Sequence, residues 1–422
     1  MKAIMMAGTA LAAAAAVTLA PSIKHTSSQQ KAALTARPLA LGKLALDESE
    51  VIAEPACNAI SFAQLPDDAS LFIGRRLVTS EGKLAGVSGP NDCSGGDPAN
   101  EAKGLPFNRW GLVLDRFDWK THQFTGATAL LDTSPDPRTG RSRATITAGP
   151  MRSLRIRSAY DPSVARLGNA TFVAFECTFE NGDKFGVNQT SSCISVYDPT
   201  TRKLDMARTL VPVGGEHKGS IFQVAAVPRL LAFNGRLYLY WSALTIERGV
   251  INHATVRGAE LVQQQDGIAQ VKGSDGIIRP FDPLSSEVWA PGEDNMSDRI
   301  VNLMGFWNDG NSFLAFAALG GAGCADPLGQ GRGCFRLAVK RSQTPLGQNG
   351  IGQGEAVDLH LPSNPQEYAA PIVDSGGRRW LMGHFIRPPG NDFADRTPAP
   401  PNVYWRASKR RSALVLLPLN ER

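Results

Sequence analysis

Tyr160-Asp161-Pro162-Ser163-Val164-Ala165-Arg166-Leu167-Gly168-Asn169-Ala170-Thr171-Phe172-Val173-Ala174-Phe175-Glu176-Cys177 reads as two apolar strands joined by a Gly-Asn turn. Runs rich in β-branched and aromatic residues, broken by Gly, Asn, Asp or Pro, are the pattern of tight β-hairpins. The same pattern recurs at Phe233-Asn234-Gly235, Asn308-Asp309-Gly310 and Asp374-Ser375-Gly376-Gly377. Taken at Gly168, Asn234, Asp309 and Gly376, the turns are 66, 75 and 67 residues apart. A weaker fifth turn, Pro66-Asp67-Asp68, leads into Leu71-Phe72-Ile73-Gly74.

A second repeat lies within these units. Phe117-Asp118-Trp119-Lys120-Thr121-His122-Gln123-Phe124 matches Tyr197-Asp198-Pro199-Thr200-Thr201-Arg202-Lys203-Leu204, both aromatic-Asp-x-x-Thr-x-x-apolar. This places one unit before residue 150 and others over about 155–213, 220–282, 297–360 and 366–422. Helical signals are scarce. Five units of this length predict an all-β chain, a five-bladed β-propeller of four-stranded antiparallel blades. A β-sandwich is the alternative, but it would not easily space its strands at near-equal intervals.

The chain ends bound the rest. Lys2 followed by the Ala-rich run Ala3 to Ala20 reads as a signal peptide over 1–20, with 21–50 a polar linker and 51–422 the propeller. The expected location is secreted or periplasmic. No other run approaches the roughly 20 apolar residues that span a bilayer, so no membrane association is expected after cleavage. The net charge of +5 is too small to argue for nucleic acid, and a monomer is expected. Six cysteines suit an oxidising compartment, and sequential order suggests Cys57–Cys93, Cys177–Cys193 and Cys324–Cys334. No Cys-x-x-Cys is present to favour zinc.

In a propeller the first strand of each blade lines the central channel. Asp161-Pro162, Val227-Pro228 and Ala370-Pro371 stand at similar distances before their turns, which aims Asp161 at the channel mouth. A carboxylate enclosed there could do acid or base work, or could merely cap a turn. Tyr160-Asp161-Pro162-Ser163-Val164-Ala165, its turn and Thr171-Phe172-Val173-Ala174-Phe175 together resemble the Asp-Pro blade signature of the five-bladed propeller glycosidases, the arabinanase, xylosidase and invertase-like families. Phe233 to Trp241 and Tyr368 to Asp374 are similar to further blades of those families, so the resemblance covers about residues 155–390. It implies an exported glycoside hydrolase that cleaves a polysaccharide or oligosaccharide with carboxylates on a shared axial pocket.

Those families place three acids on successive blades, whereas here Val227 and then Asn302 follow Asp161. Acids in the segments leading into blades are the substitutes: Glu216 in Gly214-Gly215-Glu216-His217-Lys218, and Glu287 in Ser286-Glu287-Val288-Trp289. Trp289 beside Glu287 offers a ring for a sugar face and an apolar wall that would raise a carboxyl pKa. The same stretch also reads as an exposed acidic loop. The catalytic candidates are therefore Asp161, Glu287 and Glu216. The substrate-binding candidates are Trp289, Trp241, His384, His217 and Glu176. No cofactor is required. The relatives carry an axial histidine on a metal ion or a substrate hydroxyl, so the resemblance admits an axial calcium ion near His384. The missing blade acids leave a second reading, a non-catalytic glycan-binding or scaffold propeller.

Overall fold

A computed structural model describes residues 44–46, 50–53, 61–78, 82–83, 109–247, 250–263, 269–271, 277–290, 298–321, 335–357, 359–360, 368–386 and 412–421. Two short strands come first, β1 (Leu44–Leu46) and β2 (Glu50–Ala53). Blade A is β3 (Phe62–Gln64), β4 (Leu71–Leu77), β5 (Trp110–Asp118) and β6 (Gln123–Leu131). Blade B is β7 (Ile156–Leu167), β8 (Ala170–Phe179), β9 (Gln189–Asp198) and, beyond the two-residue β10 (Lys203–Leu204), β11 (Leu210–Lys218). Blade C is β12 (Ile221–Phe233), β13 (Arg236–Glu247) and β14 (Val250–Gln263), edged by β15 (Ala269–Val271) and β16 (Ser286–Trp289). Blade D is β17 (Asp298–Asp309), β18 (Ser312–Gly321), β19 (Phe335–Ser342) and β20 (Glu355–Val357). After β21 (Leu359–His360), blade E is β22 (Tyr368–Val373), β23 (Arg379–Ile386) and β24 (Ser412–Glu421).

Blade E takes its outer strand from the other end of the chain. β2 pairs antiparallel with β24 through Glu50↔Leu416 and Val51↔Val415, and β1 continues along the same edge. β1 lies within the stretch expected to be a linker. The ring is therefore closed by hydrogen bonds between the two ends of the propeller.

Side-chain alternation explains why the strands read as nearly unbroken apolar runs. Successive strand residues face opposite sides of a sheet. In β8, Val173, Phe175 and Cys177 pack toward blade A, while Phe172 and Ala174 pack toward blade C. In β13, Leu237, Leu239 and Trp241 face blade B, and Tyr238 and Tyr240 face blade D. Two further clusters join blade D to E through Trp307, Phe316 and Leu381, and blade E to A through Trp380, Phe62 and Phe72. The innermost strands β3, β7, β12, β17 and β22 meet in cyclic order, β22 returning to β3. Five blades, five interblade clusters and a closed inner ring make the fold a five-bladed β-propeller.

The tight turns form where the sequence permits them. Gly168 lies at φ +58°, and Asn234 and Gly235 at φ +50° and +71°, the paired left-handed conformation of a two-residue hairpin loop. The inner strands approach closely at Gly305, where an added Cβ would lie 2.7 Å from the ring of Pro371.

Candidate functional site

The inner strands of blades B and C are not regular. The pairing of β7 with β8 shifts register between Tyr160 and Ser163, and that of β12 with β13 between Ala226 and Arg229. Each shift is a β-bulge, a device that bends a strand and re-aims a side chain. At the bulges Asp161 has φ +52° and Val227 φ +50°, each directly before its proline. A β-branched residue with this backbone is an outlier, worth of order 1–3 kcal/mol of strain. Blade D shifts register between Leu303 and Gly305, so the residue corresponding to Asp161 there is Met304 rather than Asn302. Asn302 instead accepts a hydrogen bond from the Ser242 hydroxyl at 3.2 Å. In blade E, Ala370 pairs regularly with Met382.

Polar contacts between blades hold the bulges. The Val227 amide donates to Glu176 Oε2 at 2.7 Å, joining blade C to β8. Arg229 is 3% exposed and reaches three blades. Its Nε donates to the Met304 carbonyl at 2.7 Å, and its Nη1 to the carbonyls of Pro228 at 2.8 Å and Asp161 at 3.3 Å. One guanidinium thus ties the backbones of all three bulges.

Asp161 and Glu176 are both buried at this level, Glu176 being paired across the sheet with Tyr160. Arg75, from β4 of blade A, places Nη1 3.6 Å from Asp161 Oδ1 and stacks its guanidinium 4.4 Å from the Trp110 ring centroid. Glu176 has its pKa pushed up to about 8. Burial is the largest cause and the negative charge of Asp161 the next, opposed by the Val227 amide, the Tyr160 hydroxyl and Arg75. Burial and the charge of Glu176 push the Tyr160 phenol upward as well. At neutral pH Glu176 therefore carries a proton beside Asp161. A carboxyl that keeps its proton toward neutral pH can serve as a general acid.

The structure places Glu287, Glu216, His217, Trp289 and Trp241 away from this level. Glu287 is on β16, at the outer edge of blade C opposite Arg257, and accepts from Gln348 Nε2 at 3.4 Å. It therefore lies across the width of a blade from the inner strands and does not join Asp161. Glu216, half-buried on β11, is bridged by Arg279 and by Lys218 at 2.8 Å. Burial raises its pKa, but the hydrogen bonds and charges of those two partners prevail and hold it below the usual carboxylate range. An acid kept ionised in this way is a poor proton donor. His217 is exposed, with its ring stacked 4.2 Å from that of Phe222.

Trp289 and Trp241 are fully buried, Trp289 between blades C and D and Trp241 between B and C. Neither has a face to offer a sugar; they belong to the core. His384 pairs in register with Tyr368 and Leu414 on β23. Among the described residues no group of three His, Cys, Asp or Glu is arranged to hold a metal ion. Cys177 and Cys193 are bonded, directly after Glu176, whereas Cys57, Cys93, Cys324 and Cys334 lie outside the described residues. Arg75, Tyr160 and Arg229 were not singled out from the sequence. The available signal was Arg75-Arg76 inside an otherwise apolar strand, and Arg229 directly after the second shared proline.

No family model matches the chain and no curated protein matches it. Solved structures do match. A family-43 endo-arabinanase from Bacillus licheniformis is 9% identical over 88% of this chain and 96% of its own, with a TM-score of 0.45. An arabinanase from Bacillus subtilis is 11% identical over 89% of this chain and 97% of its own, also at 0.45. An α-L-arabinofuranosidase from Lactobacillus brevis is 10% identical over 87% and 92%, at 0.46.

Proposed function

We propose that the chain is an exported glycoside hydrolase acting on a polysaccharide or oligosaccharide, with Glu176 as proton donor and Asp161 as base or nucleophile. The observation that carries this reading is the buried carboxyl pair at the axial bulge, where burial and the charge of Asp161 favour the protonated form of Glu176. Glu176 would protonate the leaving glycosidic oxygen. Asp161, held by Arg75, would attack the anomeric carbon or activate water. Spacing decides between these: about 5–5.5 Å between the carboxyls gives retention, and about 6.5–9.5 Å inversion. The Tyr160 hydroxyl would orient the Glu176 carboxyl. Export is supported by the leader-like residues 1–20 and the Cys177–Cys193 bond.

The test is turnover on arabinan, fructan, xylan and galactan fragments by wild type, Glu176→Gln and Asp161→Asn. Cleavage of one fragment by wild type, reduced roughly 10²–10⁴-fold in each variant, is the expected result. Undiminished turnover by either variant removes that residue's role. A second reading, a non-catalytic glycan-binding propeller, is favoured by Val227, Met304 and Ala370 at the positions corresponding to Asp161. Binding of a fragment without cleavage by wild type would select it.

A further inference from the structure

Two clefts flank blade B at the end of the propeller where the tight turns lie. One, of about 380 Å³, runs between the β3–β4 turn of blade A and the turns of blade B. The other, of about 430 Å³, runs between those turns and the end of β14 in blade C. Asn169, Tyr197 and Pro199 line both, forming a ridge shared by two hollows. Each hollow has the volume of a small-ligand site.

The chemistry of the walls selects the ligand. Tyr197 is half-buried and gives an aromatic face anchored on the core between blades A and B. Asn169 is exposed on the ridge, Gln263 lies in one hollow and Arg202 in the other, together supplying both donors and acceptors. The charged walls are largely paired already. Asp67 bridges Arg166, and Arg208 binds Asp205 at 2.7 Å. Asp198 is occupied by its own turn, accepting from the Thr200 amide and the Thr201 hydroxyl at 2.8 Å each. An aromatic ring ringed by amides and arginine, with little charge left over, suits an uncharged polyhydroxylated ligand better than an anion or cation.

We propose that these paired clefts form a second carbohydrate-binding site, for a neutral oligosaccharide, on the end of the propeller opposite the loops that join second to third strands. It rests on the reading that the chain acts on carbohydrate. Two sites on one rigid ring would hold a polymer through the turn face while the axial site acts on another part of it.

Calorimetric titration of the arabinan, fructan, xylan and galactan fragments into full-length Asp161→Asn tests the site with the axial chemistry removed. At least one fragment should bind. Tyr197→Ala in that background should weaken it roughly tenfold, as truncation of an anchoring aromatic does. Because Tyr197 also touches the core, the exposed pair Asn169→Ala with Arg202→Ala is the second variant, and it should weaken binding without lowering the melting temperature. Absence of any binding, or binding that neither variant alters, overturns the second site. Cleavage of a fragment by wild type with binding unaltered in both variants overturns this inference alone. Binding that the variants weaken, with no cleavage by wild type, overturns the hydrolase reading alone.

Discussion

At the scale of single residues, the protein concentrates cost at one level of its channel. Val227 holds a left-handed backbone that valine resists, and Glu176 is a carboxyl removed from water. The Val227 amide bonds to Glu176, so each stabilises the other's unfavourable state. A consequence is a pH dependence of stability. The folded pKa of Glu176, about 8, lies above its ordinary 4.5, so the folded protein binds the proton more tightly than the unfolded chain. Its contribution is fully present below about pH 4.5 and is lost as pH rises through about 8. Thermal unfolding of wild type and Glu176→Gln across this window should show wild type losing ground progressively, by a few kcal/mol in all. Parallel curves would contradict this. The neighbourhood of Asp161 was legible from its proline and its turn; Glu176 was legible as a residue of the same site, though as a substrate contact rather than as the carboxyl partner of Asp161. Glu287 beside Trp289 looked like an acid on an apolar wall, but that wall is the interblade core.

At the scale of elements, hairpins were the most legible feature, because a Gly or Asn turn between two β-rich runs leaves few alternatives. Bulges were not legible, since one extra residue in an inner strand leaves the apolar pattern almost intact. That is why Asn302 was expected where Met304 stands. Within blade B the Cys177–Cys193 bond links β8 to β9 across a sequence separation of 16, beside Glu176. Replacing both cysteines by serine should cost on the order of 3 kcal/mol in denaturant unfolding. The same replacement should leave the secondary structure, read by circular dichroism, unchanged. No loss of stability would mean that the sheet alone fixes this register.

At the scale of the whole molecule, five interblade clusters form a cycle that no single blade could sustain, each blade burying both faces. The five-unit repeat was visible in the turn spacings. The closure by β1 and β2 was not, because a strand that pairs more than three hundred residues away carries no local mark. Deleting residues 1–53 should expose the outer edge of β24, lower the melting temperature and promote association through that edge. Size-exclusion chromatography and thermal unfolding read both effects. A monomer of unchanged stability would show that the ring does not depend on this clasp.

All of the proposed chemistry turns on a proton residing on Glu176 at neutral pH. Difference infrared spectroscopy of wild type against Glu176→Gln, titrated from acid to alkaline pH, observes that carboxyl directly. A protonated carboxyl band that persists at neutrality and is lost with a midpoint near 8 is the expected result. Loss of that band with a midpoint at the ordinary glutamate value of 4.5 would contradict it.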